Sequence, residues 1–97
     1  MKLMTKEIAK KLPPLGTESD IAVVKYFSPV SSWTWFASEY DPKSGDMFGL
    51  VFGHYKEFGY FNLHELEQVT LPFGMKIERD LSWEPTTFKE IYPEFYK

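Results

Sequence analysis

The six residues Asp41-Pro42-Lys43-Ser44-Gly45-Asp46 separate two aromatic-rich runs, Trp33 to Tyr40 and Met47 to His54. Turn formers between β-prone runs predict an antiparallel hairpin. A hairpin constrains a small fold strongly, because it sets register and buried face together. With an even-numbered turn the paired positions sum to one constant, so Tyr40 opposes Met47, Ser38 opposes Gly49, Phe36 opposes Val51 and Thr34 opposes Gly53. One face then carries Trp33, Trp35 and Ala37 beside Phe48, Leu50 and Phe52, and is the expected core. The reverse face holds Thr34, Phe36, Ser38, Tyr40, Met47, Gly49, Val51 and Gly53. It is more polar, which leaves Phe36 and Tyr40 on the surface as candidate partner-binding residues.

The remaining segments arrange themselves around that hairpin. Thr5 caps a predicted helix from Lys6 to about Leu12, with Met4, Ile8 and Leu12 on one face, and Pro13-Pro14 stops it. Ile21 to Phe27 reads as a strand, with Ala22, Val24 and Tyr26 on one side and Val23, Lys25 and Phe27 on the wetter one. A short strand, Phe58 to Phe61, extends the hairpin into a meander. Asn62 with Glu65 makes a capping box for a helix whose Leu63, Leu66 and Val69 face inward, and Leu71-Pro72-Phe73-Gly74 ends it. Residues 77–84 alternate, with Ile77, Arg79, Leu81 and Trp83 opposite Glu78, Asp80, Ser82 and Glu84, as a half-buried extended segment would. Thr87 and Glu90 cap a last helical turn before Pro93. The expected fold is α+β: an antiparallel β-meander of three to five strands with short flanking helices, in one domain over residues 1–97.

Composition decides whether such a chain can hold a core. At 97 residues it buries only somewhat over ~60% of its unfolded surface, but 19% of it is Phe, Tyr and Trp, which supply large buried areas per residue. The absence of cysteine excludes disulfides, a thiolate nucleophile and cysteine-ligated metal sites. No apolar run matches a signal peptide or a membrane span, so a cytoplasmic protein with no membrane partner is expected. Residues 1–12 carry a charge of +3 within a total of -3. The acidic body disfavours nucleic acid as a partner, although Lys2, Lys6, Lys10 and Lys11 form an alternative nucleic-acid-binding set.

The chemistry-bearing residues do not assemble into a recognised catalytic pattern. His54 and His64 are the only histidines, and neither lies in a metal-ligand spacing. His64-Glu65-Leu66-Glu67 lacks the cysteines a deaminase needs. Glu39 and His54 fall about 20 Å apart on the hairpin, at ~3.3 Å per residue, too far for a dyad. The serines and glycines offer no nucleophile elbow, dinucleotide fingerprint or phosphate loop, so no catalytic residue and no cofactor is expected. Phe48-Gly49-Leu50-Val51-Phe52 is aromatic like an RNA-binding strand, but lacks its basic residue. Glu78 and Asp80 project together and are the best candidate for a divalent cation, although two or three carboxylates do not complete a cage.

Several strings carry a family resemblance: Met1 to Ile8, Lys11-Leu12-Pro13-Pro14-Leu15, Trp33 to Tyr40, Gly59-Tyr60-Phe61-Asn62-Leu63, and Ile77-Glu78-Arg79-Asp80-Leu81 with Trp83 and Pro85. Over nearly its whole length the chain resembles the domain-of-unknown-function family 2958. The resemblance implies a setting, namely small bacterial products carried by plasmids, conjugative elements and phages beside DNA-processing or anti-defence genes. It implies no catalytic residues. The family's polar motif positions, here Glu39, Glu65, Glu78, Arg79 and Asp80, either function directly or tie loops to the sheet. Arg79 falls on the apolar side of its segment, and Glu39 is the expected partner for its guanidinium.

The expectation is a non-enzymatic protein-interaction module with an unidentified protein partner. Phe36, Tyr40, Glu78, Asp80 and Glu84 are its candidate contacts. An inhibitor of host defence nucleases, using the acidic Glu78, Asp80 and Glu84 surface, is its sharper form. The alternatives are a nucleic-acid-binding accessory protein and a divalent-cation-binding protein. The oligomeric state is left open.

Overall fold

The computed structural model describes residues 1–97. Its main sheet has five antiparallel strands in the order β5-β4-β3-β2-β6. They are β2 (Val24–Phe27), β3 (Thr34–Tyr40), β4 (Asp46–Phe52), β5 (Lys56–Asn62) and β6 (Glu78–Arg79). A separate two-stranded ribbon pairs β1 (Ile21–Ala22) with β7 (Thr86–Thr87). Helix α1 (Lys6–Lys11) precedes the strands, α2 (Leu63–Gln68) follows β5, and α3 (Phe88–Ile91) follows β7. The fold is therefore α+β around a β-meander.

Helix ends obey local capping rules. Thr5 Oγ1 accepts the Ile8 amide at 3.1 Å, Asn62 Oδ1 accepts those of His64 and Glu65, and Thr87 Oγ1 accepts that of Glu90. The hairpin turn is closed by Gly45, whose positive φ of 84° lets its amide donate to the Asp41 carbonyl at 2.8 Å. The Asp41 carboxylate accepts the Lys43 amide and the Ser44 hydroxyl, which hold it below the usual carboxylate range.

The expected register holds only next to this turn. Tyr40 opposes Met47 and Glu39 opposes Phe48, but Ser38 is an extra residue, and beyond it Ala37 opposes Gly49, Phe36 opposes Leu50 and Trp35 opposes Val51. This β-bulge moves every earlier residue of β3 to the other face. Phe36 and Tyr40, expected on the surface, are only 4% and 8% exposed. They lie in different clusters, so neither is available to a partner. Trp33, expected in the core, is 36% exposed at the rim, stacked on Trp35 with centroids 5.9 Å apart. Phe48 is half-buried against Tyr60.

The sheet consequently buries both faces. One face packs Val24, Tyr26, Ala37, Tyr40 and Met47 against Leu3, Leu12, Leu63, Leu66 and Ile77. The other packs Phe36 and Leu50 against Ala22 and Phe88, with Phe52, Phe58, Trp83 and Tyr92 around them. The predicted strand 21–27 is broken at Val23, which separates Ala22 from Val24 and Tyr26 and gives each face its own residues. The alternation expected over 77–84 ends at Arg79. The Asp80 carboxylate caps a turn by accepting the Ser82 amide at 2.9 Å, and that turn sends Trp83 to the opposite face from Ile77.

Candidate interaction surface

The residues after α2 form a small closed loop. Leu71 donates its amide to the Met75 carbonyl at 2.8 Å, and Met75 returns a bond to the Pro72 carbonyl at 3.3 Å. Phe73 at the loop tip adopts φ 64°, ψ 21°, a left-handed conformation that a side chain adopts at a cost. Its side chain gains no burial in return, being 95% exposed. Most apolar residues on a surface are unremarkable singly. Phe73 differs because its backbone is strained and Met75, two residues on, is also exposed.

Beside the loop lies a hollow of about 480 Å³ between the N-terminal segment and residues 74–78, lined by Met1, Leu3, Met75 and Ile77 and rimmed by Lys2, Glu67, Lys76 and Glu78. Three bonds fix the N-terminal wall, the first from the Arg79 amide to the Met1 sulfur at 3.3 Å. Arg79 Nε donates to the Lys2 carbonyl at 3.0 Å, and the Tyr26 hydroxyl donates to the Leu3 carbonyl at 2.7 Å. Burial pushes the Tyr26 hydroxyl well above its ordinary pKa, which the Arg79 guanidinium offsets only in part. Thioether and aromatic side chains beside a preformed hollow suit an adaptable apolar partner surface.

The expected sites are distributed differently. Glu78 lines this hollow, whereas Asp80 forms an ion pair with Lys25 at 3.6 Å, and Glu84 is exposed beyond the Asp80 turn. These three carboxylates do not make one patch. No three His, Asp or Glu side chains come together in a metal-ligating group. Of the lysines, Lys6 and Lys11 meet Arg79 around one shallow depression, Lys10 lies beside Lys11 on a neighbouring groove, and Lys2 rims the hollow.

The expected Arg79–Glu39 pair does not form. Glu39 is buried, and its two carboxylate oxygens accept the Gly16 and Ser19 amides, each at 2.8 Å, tying the 16–19 loop to the sheet. Phe73 was missed because Leu71-Pro72-Phe73-Gly74 signals only a helix end. The usable signal was an aromatic residue between Pro and Gly, where turn chemistry predicts exposure.

No helix is long and apolar enough to cross a membrane. No curated protein and no solved structure matches the chain. A family model described as Protein of unknown function (DUF2958) matches residues 2–95, a span that includes the Phe73 loop, Glu39 and Arg79, and the chain belongs to that family.

Proposed function

We propose that this chain is a non-enzymatic protein-interaction module that receives its partner on the Phe73 loop and the methionine-lined hollow beside it. The observation that carries the reading is Phe73 itself: a large aromatic residue in a strained backbone conformation, with almost its whole side chain in solvent. Strain of this kind costs on the order of 1–3 kcal/mol and is a marker of binding sites. The mobile-element setting implied by the family resemblance supports a nuclease or DNA-processing complex as the class of partner. The rim of the hollow balances Glu67 and Glu78 against Lys2 and Lys76, so the inhibitory variant, in which the chain meets a nucleic-acid-binding surface of a defence nuclease, draws its support from that setting alone.

Affinity capture from a bacterial host lysate tests the reading. The native chain retains a stoichiometric protein, and Phe73→Asp, which adds a charge where nothing is packed, releases it. Retention unchanged by Phe73→Asp overturns the assignment of the surface. Unchanged phage and plasmid survival on expression overturns the inhibitory variant.

One observation favours a second reading. Arg79 adds a cation from another element beside Lys6 and Lys11 around a single depression that Glu7 also lines, which leaves the cluster net positive. As a nucleic-acid-binding accessory protein, the chain would show an affinity that falls steeply with salt. No gel shift at low salt would remove that reading.

A further inference from the structure

We propose that the chain self-associates through β5, forming a two-fold dimer in which the edge strands of two copies pair antiparallel about Gly59. The β5 edge is separate from the Phe73 loop, and its free backbone groups follow from the ladder between β4 and β5. Gly53 donates to the Tyr55 carbonyl and Leu63 donates to the Gly45 carbonyl, so the ladder is hydrogen-bonded at odd positions of β5 from end to end. In an antiparallel ladder the alternate residues point their backbone groups the other way. The N–H and C=O groups of Lys56, Phe58 and Tyr60 therefore face outward from the last strand of the sheet.

Natural sheets guard such an edge with proline, bulges, charged side chains or a covering element, and on β5 the charges are confined to Lys56 and Glu57 at one end. Pairing of β5 with β4 is unbroken over all seven residues, Lys56 to Asn62, and the strand contains no proline. Its centre is Phe58-Gly59-Tyr60, and Tyr60 is 72% exposed. A second copy is the occupant that the strand's own sequence fits. Gly59 is the midpoint of β5, so pairing about Gly59 uses the full strand length. It sets Phe58 opposite Tyr60 of the other copy, and each of these residues offers a free N–H and a free C=O. Directly opposed residues also share a face, so the sheet continues across the axis. The register separates like charges, because each Lys56 meets the other copy's Asn62 and each Glu57 meets its Phe61. The sheet face at the axis has room for a side chain, since a Cβ placed on Gly59 meets nothing within 4 Å. The contact is isologous, which closes the assembly at two copies and uses up the β5 edge of each. An edge pairing of this size falls in the small-interface class, so the dimer exchanges with monomer.

The chain contains no cysteine, so one introduced thiol can crosslink only between copies. Across a non-hydrogen-bonded pair the two Cα atoms lie about 4.5 Å apart, within disulfide range. Under mild oxidant, Gly59→Cys is expected to form disulfide dimers about tenfold or more faster than Ser32→Cys in an exposed loop, because association raises the effective thiol concentration. The native chain should show concentration-dependent sedimentation. Its Phe58 and Tyr60 amides, which lack a partner in the sheet, should become protected from exchange as concentration rises. Gly59→Lys, with a native circular dichroism spectrum, should sediment as monomer. Equal crosslinking at both positions, a monomeric native chain with fully exchanging Phe58 and Tyr60 amides at high concentration, or a dimer untouched by Gly59→Lys would each overturn the proposal, the last by placing self-association on another face.

Discussion

The carbonyl oxygen of Phe36 occupies the space that a Cβ on Gly49 would need. That approach adjoins the Ser38 bulge, which decides which aromatic side chains each face of the sheet receives. Gly49→Ala should therefore destabilise the fold by about 1–3 kcal/mol, the usual cost of forcing volume into a packed site. Its cross-strand neighbour Gly59 has open space at the same position, so Gly59→Ala should change stability by no more than about 0.5 kcal/mol. Urea denaturation of the two variants checks the contrast.

Glu39 organises a loop it does not belong to. Both of its oxygens accept backbone amides, from Gly16 and Ser19, in a buried position. In Glu39→Gln the side-chain NH2 must face one of these donors, which should cost about 1.5–3 kcal/mol, the range for hydrogen bonds to charged groups. Hydrogen exchange should localise the damage to residues 16–19.

The buried tyrosines set an alkaline limit. Burial is the main cause that raises both Tyr26 and Tyr40 above the ordinary value near 10, and Glu67 adds to the shift of Tyr40. The unfolded chain then ionises first. The contribution is fully present below about pH 10 and is lost as pH rises from there toward the raised folded values. Tyr26→Phe should flatten that decline while lowering stability at neutral pH by about 1 kcal/mol, through loss of the bond to the Leu3 carbonyl. Denaturation midpoints at pH 9 and pH 11 measure both effects.

Asp41 acts in the opposite direction. Its carboxyl is held down by the Lys43 amide and the Ser44 hydroxyl, so its contribution exists above the unfolded carboxylate pKa and is lost as pH falls through the lowered folded value. Asp41→Asn should make thermal stability less sensitive to pH in the acid range, and a melting series from pH 6 to pH 2 shows it.

What was legible in the sequence was local. Thr5, Asn62 and Thr87 announce helix starts because a cap is satisfied within three residues, and Asp41 to Asp46 announces its turn for the same reason. The faces were not legible, because one inserted residue at Ser38 inverts every side chain before it, and strict alternation contains no term for a bulge. Gly49 inside a strand was the available warning. The break at Val23 and the Asp80 turn have the same character: each hands neighbouring residues to opposite faces of a sheet that buries both. The partner expected for Arg79 failed because Glu39 found backbone amides nearer to it, and Arg79 found the Lys2 carbonyl. Glu78 and Asp80, adjacent on one predicted face, part where that turn begins.

The Phe73 surface is tested most directly by photocrosslinking from position 73 in living bacteria, with a benzophenone amino acid replacing Phe73 and, as control, replacing the exposed Tyr55 between β4 and β5. One dominant protein adduct is expected from position 73 that is absent from position 55. No adduct from position 73, or the same set of adducts from both positions, would contradict the assignment of that surface.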